Sequence, residues 1–230
     1  MIGPIYAIRP EPGSSATVAA GREAGLAITG CPLFEIHQLA WDPPPPERID
    51  GLLLGSANAL RQAGPALDAF RGKRAFAVGT ATARAAEAAS LTVAAVGGSG
   101  LQSLLATLRA PLTLLRLAGE EHVPLKCPLG IVIETRVAYR NVPLPMPEAL
   151  AAGIRAGGVV LLHSAAAARH FAAECDRLDL PRSAIALAAL GPRVAAAAGE
   201  GWREVCWADA PREAALLALA RDMCHDPRQG

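Results

Sequence analysis

The chain has 230 residues, of which 52% are hydrophobic, 4% aromatic and 19% charged, and its formal net charge is +1. This length suits two small domains, and the near-neutral charge provides no basic field for nucleic acid. No segment approaches the roughly 20 apolar residues of a membrane span. Because the five cysteines form no CxxC pair and no secretory signal is evident, we predict a cytoplasmic protein with reduced thiols that binds neither nucleic acid nor membranes.

Short apolar runs alternate with helical patterns along the whole chain. Strands are predicted at residues 2–8, 50–54, 74–78, 91–95, 112–117, 159–162, 184–190 and 204–207. Helices are predicted at residues 14–24, 80–88, 101–108, 165–174 and 212–223, with one more that begins at Pro192. Apolar strands of this length, separated by helices, favour an α/β fold in which helices cover both faces of parallel sheets.

Two other stretches, residues 34–39 and 132–142, alternate polar and apolar residues as exposed strands do. Each is followed by several prolines, which favour stiff, extended connections. We therefore predict that the chain crosses there between two similar lobes, joined by a two-stranded hinge. The predicted boundaries are residues 1–36 with 142–230 for lobe 1, 40–136 for lobe 2, and 37–39 with 137–141 for the hinge strands.

The two halves share two signatures in the same order. DGLLLGSANA at 50–59 resembles GVVLLHSAAA at 158–167, and FAVGTATARAA at 76–86 resembles LAALGPRVAAA at 187–197. The spacing from Ser56 to Ser164 is nearly the same as that from Gly79 to Gly191. Two matches in register indicate an internal duplication.

Each signature is a strand that ends at Gly or Ser and turns into a helix. Such a serine can cap the helix, and the open N–H groups and the helix dipole attract anions. Ligands of open α/β sheets bind beyond the carboxyl ends of the strands. Any single turn can be an ordinary structural cap, but the set of four predicts one anionic ligand held in a cleft between the lobes.

The order and spacing of several short motifs over nearly the whole length resemble the uroporphyrinogen-III synthase family. The motifs are Ile8-Arg9-Pro10, Cys31-Pro32-Leu33, Gly55-Ser56-Ala57-Asn58-Ala59, Val78-Gly79-Thr80-Ala81-Thr82-Ala83, Leu115-Arg116 with Gly119-Glu120, Val137-Ala138-Tyr139-Arg140, Leu162-His163-Ser164 and Leu190-Gly191-Pro192. The resemblance implies two α/β lobes on a two-stranded hinge. It also implies a lyase reaction in tetrapyrrole (heme or porphyrin) biosynthesis, in which the linear tetrapyrrole hydroxymethylbilane loses water and closes with its last pyrrole inverted.

The resemblance further implies no metal, no organic cofactor and a monomer, with a possible transient contact with the preceding enzyme of the pathway. The family's proton donor, a tyrosine in the returning hinge strand, matches Tyr139, and a phenol is protonated at neutral pH. A half-buried strand tyrosine with no catalytic role is the alternative. The substrate-binding residues implied by the resemblance are Arg9, Ser56, Asn58, Gly79, Thr80, Thr82, Ser164, Gly191 and Arg193.

Some positions depart from the family pattern. Arg193 and Val194 stand where the family has threonines, and Gly55 and His163 stand where it often has threonine before the serine. We expect a structural role for His163. Two alternatives stay open: a non-catalytic, two-lobed binding protein for an anionic tetrapyrrole-like ligand, and another two-lobed enzyme such as a sugar-nucleotide transferase. The second would need a nucleotide motif, and the chain has no GxxxxGK[ST].

Overall fold

The structure, a computed structural model, describes residues 3–98 and 100–225. Residue 2, the first of the predicted strand 2–8, lies outside the described residues. The chain divides into two compact units, which we number by their order along the chain. Unit 1 comprises Met1–Glu35 and Val142–Gly230, and unit 2 comprises Ile36–Asn141.

The described strands and helices alternate along most of the chain. The strands are β1 (Ile5–Ala7), β2 (Ile28–Gly30), β3 (Phe34–Gln38), β4 (Gly51–Leu54), β5 (Arg74–Val78), β6 (Thr92–Gly97), β7 (Leu112–Gly119), β8 (Ile131–Pro143), β9 (Gly158–Leu162), β10 (Ile185–Ala189) and β11 (Glu204–Trp207). The helices are α1 (Gly13–Glu23), α2 (Ala57–Arg61), α3 (Thr80–Ala88), α4 (Leu101–Leu105), α5 (Glu148–Arg155), α6 (Ala165–Arg177), α7 (Pro192–Ala197) and α8 (Glu213–His225). Short 3-10 helices occur at Pro46–Arg48, Gly64–Phe70 and Arg182–Ala184.

Unit 1 is built on a sheet that, in the described residues, has five strands in the order β11-β10-β9-β1-β2. Its neighbouring strands pair in parallel. Alternate side chains of β1 and β9 enter opposite cores: Tyr6 and Val160 pack with α5 and α6, whereas Ile5 and Val159 pack with α8. Both faces are therefore covered, which explains why these strands read as continuous apolar runs.

Unit 2 carries the second sheet, which in the described residues has six strands in the order β3-β8-β7-β4-β5-β6. The pairs from β8 to β6 are parallel. Leu52 and Leu54 pack with α2 and α3, while Leu53 packs against Leu104 and Leu105 of α4. The predicted α/β class, with parallel sheets flanked by helices, is confirmed.

The chain passes between the units twice, once within β3 and once within β8. These two strands are neighbours in the sheet order. Leu39 donates its N–H to the carbonyl of Ala138 at 2.8 Å, and Leu144 donates to the carbonyl of Leu33 at 2.9 Å. As the residue number rises along one strand it falls along the other, so β3 and β8 are antiparallel.

A buried carboxylate that sequence reasoning did not single out holds part of unit 1 together. Glu174 of α6 accepts the backbone N–H of Met146 at 2.6 Å and two hydrogen bonds from Arg177 at 2.6 and 2.8 Å. The hydrogen bonds from Arg177 outweigh the effect of burial and, with the Met146 bond, lower the pKa of Glu174 to about 2. The ionised form is thus the one that joins α6 to the segment before α5.

The variant Glu174→Gln is expected to flatten the acid dependence of stability. Because the pKa of Glu174 is lower in the folded than in the unfolded protein, its stabilising contribution is complete above the unfolded value and is lost as the pH falls towards about 2. Urea unfolding would measure the free energy of unfolding between about pH 6 and pH 3. The signal is the tryptophan fluorescence, to which Trp202 contributes from its stack on Phe171 in the unit 1 core. Glu23→Gln, at an exposed position of α1, is the control; equal pH slopes for both variants would contradict the prediction.

Candidate functional site at the carboxyl edges of the sheets

In unit 2 the predicted site residues lie at one level across neighbouring strands. Tyr139 of β8 pairs with Gly119 of β7. The last residue pair between β4 and β7 is Leu54 with Leu117. Ser56 and Gly119 each lie two positions after their member of this pair, so they stand at the same level. Gly79 stands at the same level after β5. Because adjacent strands are about 4.8 Å apart, these residues form a short row along the carboxyl edge of the sheet.

Ser56 is the N-cap of α2, as the sequence predicts. Its backbone is extended, with φ −153° and ψ 140°, and its Oγ accepts the N–H of Asn58 at 3.2 Å. The Oδ1 of Asn58 accepts a hydrogen bond from Arg61 at 3.0 Å, at the exposed surface of the same helix. The side chains of Ser56 and Asn58 thus both have partners in α2, and the serine cap completes the turn.

The second turn of unit 2 depends on glycine. Gly79 has φ 79°, in the left-handed region that favours glycine, and a Cβ there would meet nothing within 4 Å. Thr80 opens α3 at an exposed position, whereas Thr82 is buried, with 5% exposure. The open space beside Gly79 leaves the N-terminus of α3 accessible from this side.

The ring of Tyr139 lies close to the backbone of the neighbouring strand at Gly119. A Cβ on Gly119 would come within 2.8 Å of the Cζ of Tyr139 and 3.1 Å of its hydroxyl, so only glycine leaves room for the ring. The ring also packs against the apolar core that includes Leu54 and Leu117. Tyr139 is half-buried, and among the described residues no hydrogen bond to its hydroxyl is found.

The carboxyl edge of unit 1 carries the matching set of turns. Ser164 caps α6 with φ −152° and ψ 156°, nearly the conformation of Ser56, and its Oγ accepts the N–H of Ala167 at 3.1 Å. Gly191 follows β10 and precedes Pro192, with an extended φ of 179° that any residue adopts. The two serine turns therefore share a local geometry, as the internal duplication predicts.

The helices that follow these turns differ in length, so the electrostatic attraction of their N-termini for anions differs in strength. In the described structure α6 has 13 residues and α3 has nine, whereas α7 has six and α2 five. A short helix aligns few peptide dipoles. The N-termini of α3 and α6 thus provide the stronger fields.

Arg9 belongs to a polar cluster that sequence reasoning did not assemble. Its guanidinium pairs with Glu213 of α8 at 3.2 Å. Glu213 also lies 3.2 Å from the Nε2 of His163 and accepts the hydroxyl of Thr17 at 2.5 Å. An acidic residue in the first turn of a helix is a detectable signal, but its pairing with a residue 204 positions away is not.

The chemistry of this cluster centres on the Glu213 carboxylate. Burial raises the pKa of Glu213, but the hydrogen bonds from His163 and Thr17 and the charge of Arg9 outweigh burial, so the pKa is lowered overall. The His163 side chain is 8% exposed and its Nδ1 is buried without a hydrogen-bond partner in the described structure. His163 therefore helps to hold Glu213, and Glu213 holds Arg9 beside the carboxyl edge of β1.

The predicted site residues thus fall into two groups, one in each unit. The row in unit 2 has Ser56, Asn58, Gly79, Thr80 and Tyr139, and the edge of unit 1 has Arg9, Ser164, Gly191 and Arg193. Arg193 is exposed and forms no ion pair with any described residue. Thr82 lies deeper in α3 than the turn itself. In the part of the chain that the structure describes, no three His, Cys, Asp or Glu side chains group as metal ligands, and no helix could cross a membrane.

Comparison with solved structures identifies similar folds. The uroporphyrinogen-III synthetase of Helicobacter pylori 26695 is similar with a TM-score of 0.59 and 17% identity, over 97% of this chain and 100% of that chain. A mutant uroporphyrinogen III synthase of the extremely thermophilic bacterium Thermus thermophilus gives a TM-score of 0.49 and 16% identity, over 96% and 98% of the two chains. At these identities the likeness concerns the fold alone. No match is found among curated proteins.

Parallel sheets whose strands end in capped turns define an α/β protein with hydrogen-bond donors at the carboxyl edges of both sheets. The family model described as uroporphyrinogen-III synthase HemD matches residues 15–218, most of the chain. The chain belongs to the uroporphyrinogen-III synthase family and is an enzyme of that type.

Loss of the Glu213 carboxylate should destabilise unit 1. Glu213→Ala leaves Arg9, His163 and Thr17 without their shared acceptor, and we expect the free energy of unfolding to fall by about 1–3 kcal/mol at neutral pH. The difference should shrink in acid, because a carboxylate with a lowered pKa loses its contribution as the pH falls. Thermal unfolding followed by circular dichroism would measure both effects. Glu200→Ala, at an exposed position, is the control, and a variant pair of equal stability would rule out the cluster as a stabilising element.

Proposed function

We propose that the chain is a lyase that converts hydroxymethylbilane to uroporphyrinogen III, with loss of water and inversion of the last pyrrole. The proposal rests on the family membership and on one structural observation. Tyr139 lies in line with the strand-end turns at Ser56 and Gly79 along one edge of the sheet. A proton donor and backbone N–H donors for carboxylates are thereby available side by side.

Tyr139 is the proposed acid. Its hydroxyl donates a proton to the departing hydroxyl of the substrate, the carbon–oxygen bond breaks, and water leaves. The pyrrole nitrogen then supports the remaining cation as an azafulvene-like species. The substituted ring carbon of the last pyrrole attacks the methylene carbon of this species and gives a spiro intermediate. The bond from that ring carbon to the methylene of the third pyrrole then breaks, which forms a second azafulvene-like cation. The unsubstituted ring carbon of the last pyrrole attacks this cation and loses its proton, which returns to the Tyr139 oxygen and leaves the closed ring inverted.

The remaining task of the enzyme is orientation. The same substrate closes without inversion when left alone. The protein must therefore hold the last pyrrole so that its substituted carbon, and not its unsubstituted one, forms the first new bond. The substrate carries eight carboxylates. The proposed contacts to them are Arg9, Ser164, Gly191 and Arg193 from unit 1, and from unit 2 the turns at Ser56, Asn58, Gly79, Thr80 and Thr82.

We further propose that residues 37–39 and 137–141 act as hinge strands, and that the protein works as a cytoplasmic monomer in tetrapyrrole biosynthesis. A transient contact with the enzyme that supplies hydroxymethylbilane would suit a substrate that closes on its own. No metal or organic cofactor takes part in the proposed reaction.

An isomer assay tests the proposed reaction. Purified protein is supplied with hydroxymethylbilane, and the ring-closed product is oxidised and resolved into type I and type III porphyrins. Excess type III over a protein-free blank is the expected outcome. Type I alone, at the level of the blank, would overturn the proposal and favour a non-catalytic binding protein.

The variant Tyr139→Phe tests the proton donor. It keeps the ring against Gly119 and removes only the hydroxyl, so we expect kcat to fall by up to about 10²-fold with KM little changed. A residual rate is expected, because water can supply the proton less effectively. Tyr6→Phe is the matched control, since Tyr6 is the other tyrosine of the chain and is buried in the core of unit 1. Equal kcat values for the two variants would exclude Tyr139 as the acid.

A further inference from the structure

Arg116 is a buried cation in the middle of the unit 2 sheet. It lies in β7 and is 6% exposed. Side chains alternate along a strand, so Arg116 shares a face with Leu112 and Leu114, which pack against Leu104 and Leu105 of α4. An arginine therefore occupies a position that the pattern of β7 otherwise gives to leucine.

The guanidinium of Arg116 has no counter-ion within the described residues. Its Nε is buried without a hydrogen-bond partner, and no ion pair involves this side chain among residues 3–98 and 100–225. The residues beside it in the sheet register are Leu53 and Thr135. Glu134 precedes Thr135 and so faces the other side of the sheet, where it pairs with Arg136 at 3.2 Å.

A buried arginine without a partner is costly, because guanidinium stays protonated in proteins and loses its hydration on burial. Burial alone lowers the pKa of Arg116, and no nearby acid offsets it. Buried arginines are ordinarily paired. An anion from outside the protein would provide the missing partner for the Arg116 guanidinium.

Two small residues follow on the Arg116 face of the sheet towards the carboxyl edge. The next position of β7 is Ala118, and the position after Leu53 on β4 is Gly55, against which the side chain of Leu101 of α4 lies. Gly55 is exposed and lies two positions beyond the register partner of Arg116, roughly 7 Å along the strand. The long arginine side chain can therefore extend towards the edge on which Ser56 and Tyr139 stand.

We propose that Arg116 binds one carboxylate of the substrate from the α4 face of the unit 2 sheet. The planar guanidinium can take a carboxylate with two parallel hydrogen bonds, which fixes the orientation as well as the charge of the ligand. Arg116 is thus a specificity-determining residue. This inference rests on the proposed function, because it takes its ligand from the proposed substrate.

Direct binding and stability measurements on Arg116→Met test the inference. Calorimetric titration with uroporphyrin III, a tetrapyrrole with eight carboxylates, should give a Kd about 10- to 100-fold higher than for the unaltered protein. The midpoint of urea unfolding should stay unchanged or rise, because methionine fills a similar space without a buried charge. Arg116→Lys, which keeps the charge but not the planar fork, should fall between the two in affinity.

Arg71→Met is the matched control. Arg71 is exposed, pairs with Asp68 at 2.9 Å and precedes β5 at the amino edge of the same sheet, so its removal should leave the Kd unchanged. A Kd for Arg116→Met equal to that of Arg71→Met would overturn the inference. So would a lowered unfolding midpoint in Arg116→Met together with unchanged affinity in Arg116→Lys, which would indicate a structural role.

The isomer assay separates this inference from the proposed function. Formation of type III porphyrin with an unchanged KM in Arg116→Met would overturn the role of Arg116 and leave the function standing. Arg116-dependent binding of uroporphyrin III without any type III product would overturn the function and leave the carboxylate site standing.

Discussion

Parallel pairing of the strands is the constraint from which the candidate site follows. When neighbouring strands run the same way, all their carboxyl ends reach one edge of the sheet, and every chain turn that leaves this edge begins a helix or a loop. Residues as distant in sequence as Ser56 and Tyr139 are thereby placed in one row. The chemistry then needs only suitable side chains at positions that the backbone has already brought together.

Local signals were sufficient for most of the fold. The helix Thr80–Ala88 begins and ends where its pattern predicts, because Gly79 provides the turn and the alanines favour a helix. The strand Ile28–Gly30 was not predicted, since it is three residues long and mostly exposed, too short for a period of two to be detected. The helix Glu148–Arg155 was missed because it follows a proline-rich segment and contains Gly153.

The site was predictable where it depends on local backbone and not where it depends on distant pairing. Serine followed by an alanine-rich stretch correctly predicts the caps at Ser56 and Ser164, because capping involves residues two or three positions away. The Glu213 cluster joins residues from α1, α8 and the segment after β9, which no local pattern connects. Arg116 is visible in the sequence as an arginine, but only the packing of α4 against its strand makes it a buried, unpaired charge.

The double crossing of the chain has a consequence for synthesis on the ribosome. Unit 2 is a continuous stretch and can begin to fold as soon as residue 141 has emerged. In unit 1, β1 lies between β2 and β9. The strand that contains Ile5 and Ala7 can therefore pair on its β9 side only after the residues from Gly158 onward have been synthesised. The edge of β1 that pairs with β9 therefore stays without its partner during most of translation, even when the other edge has paired with β2.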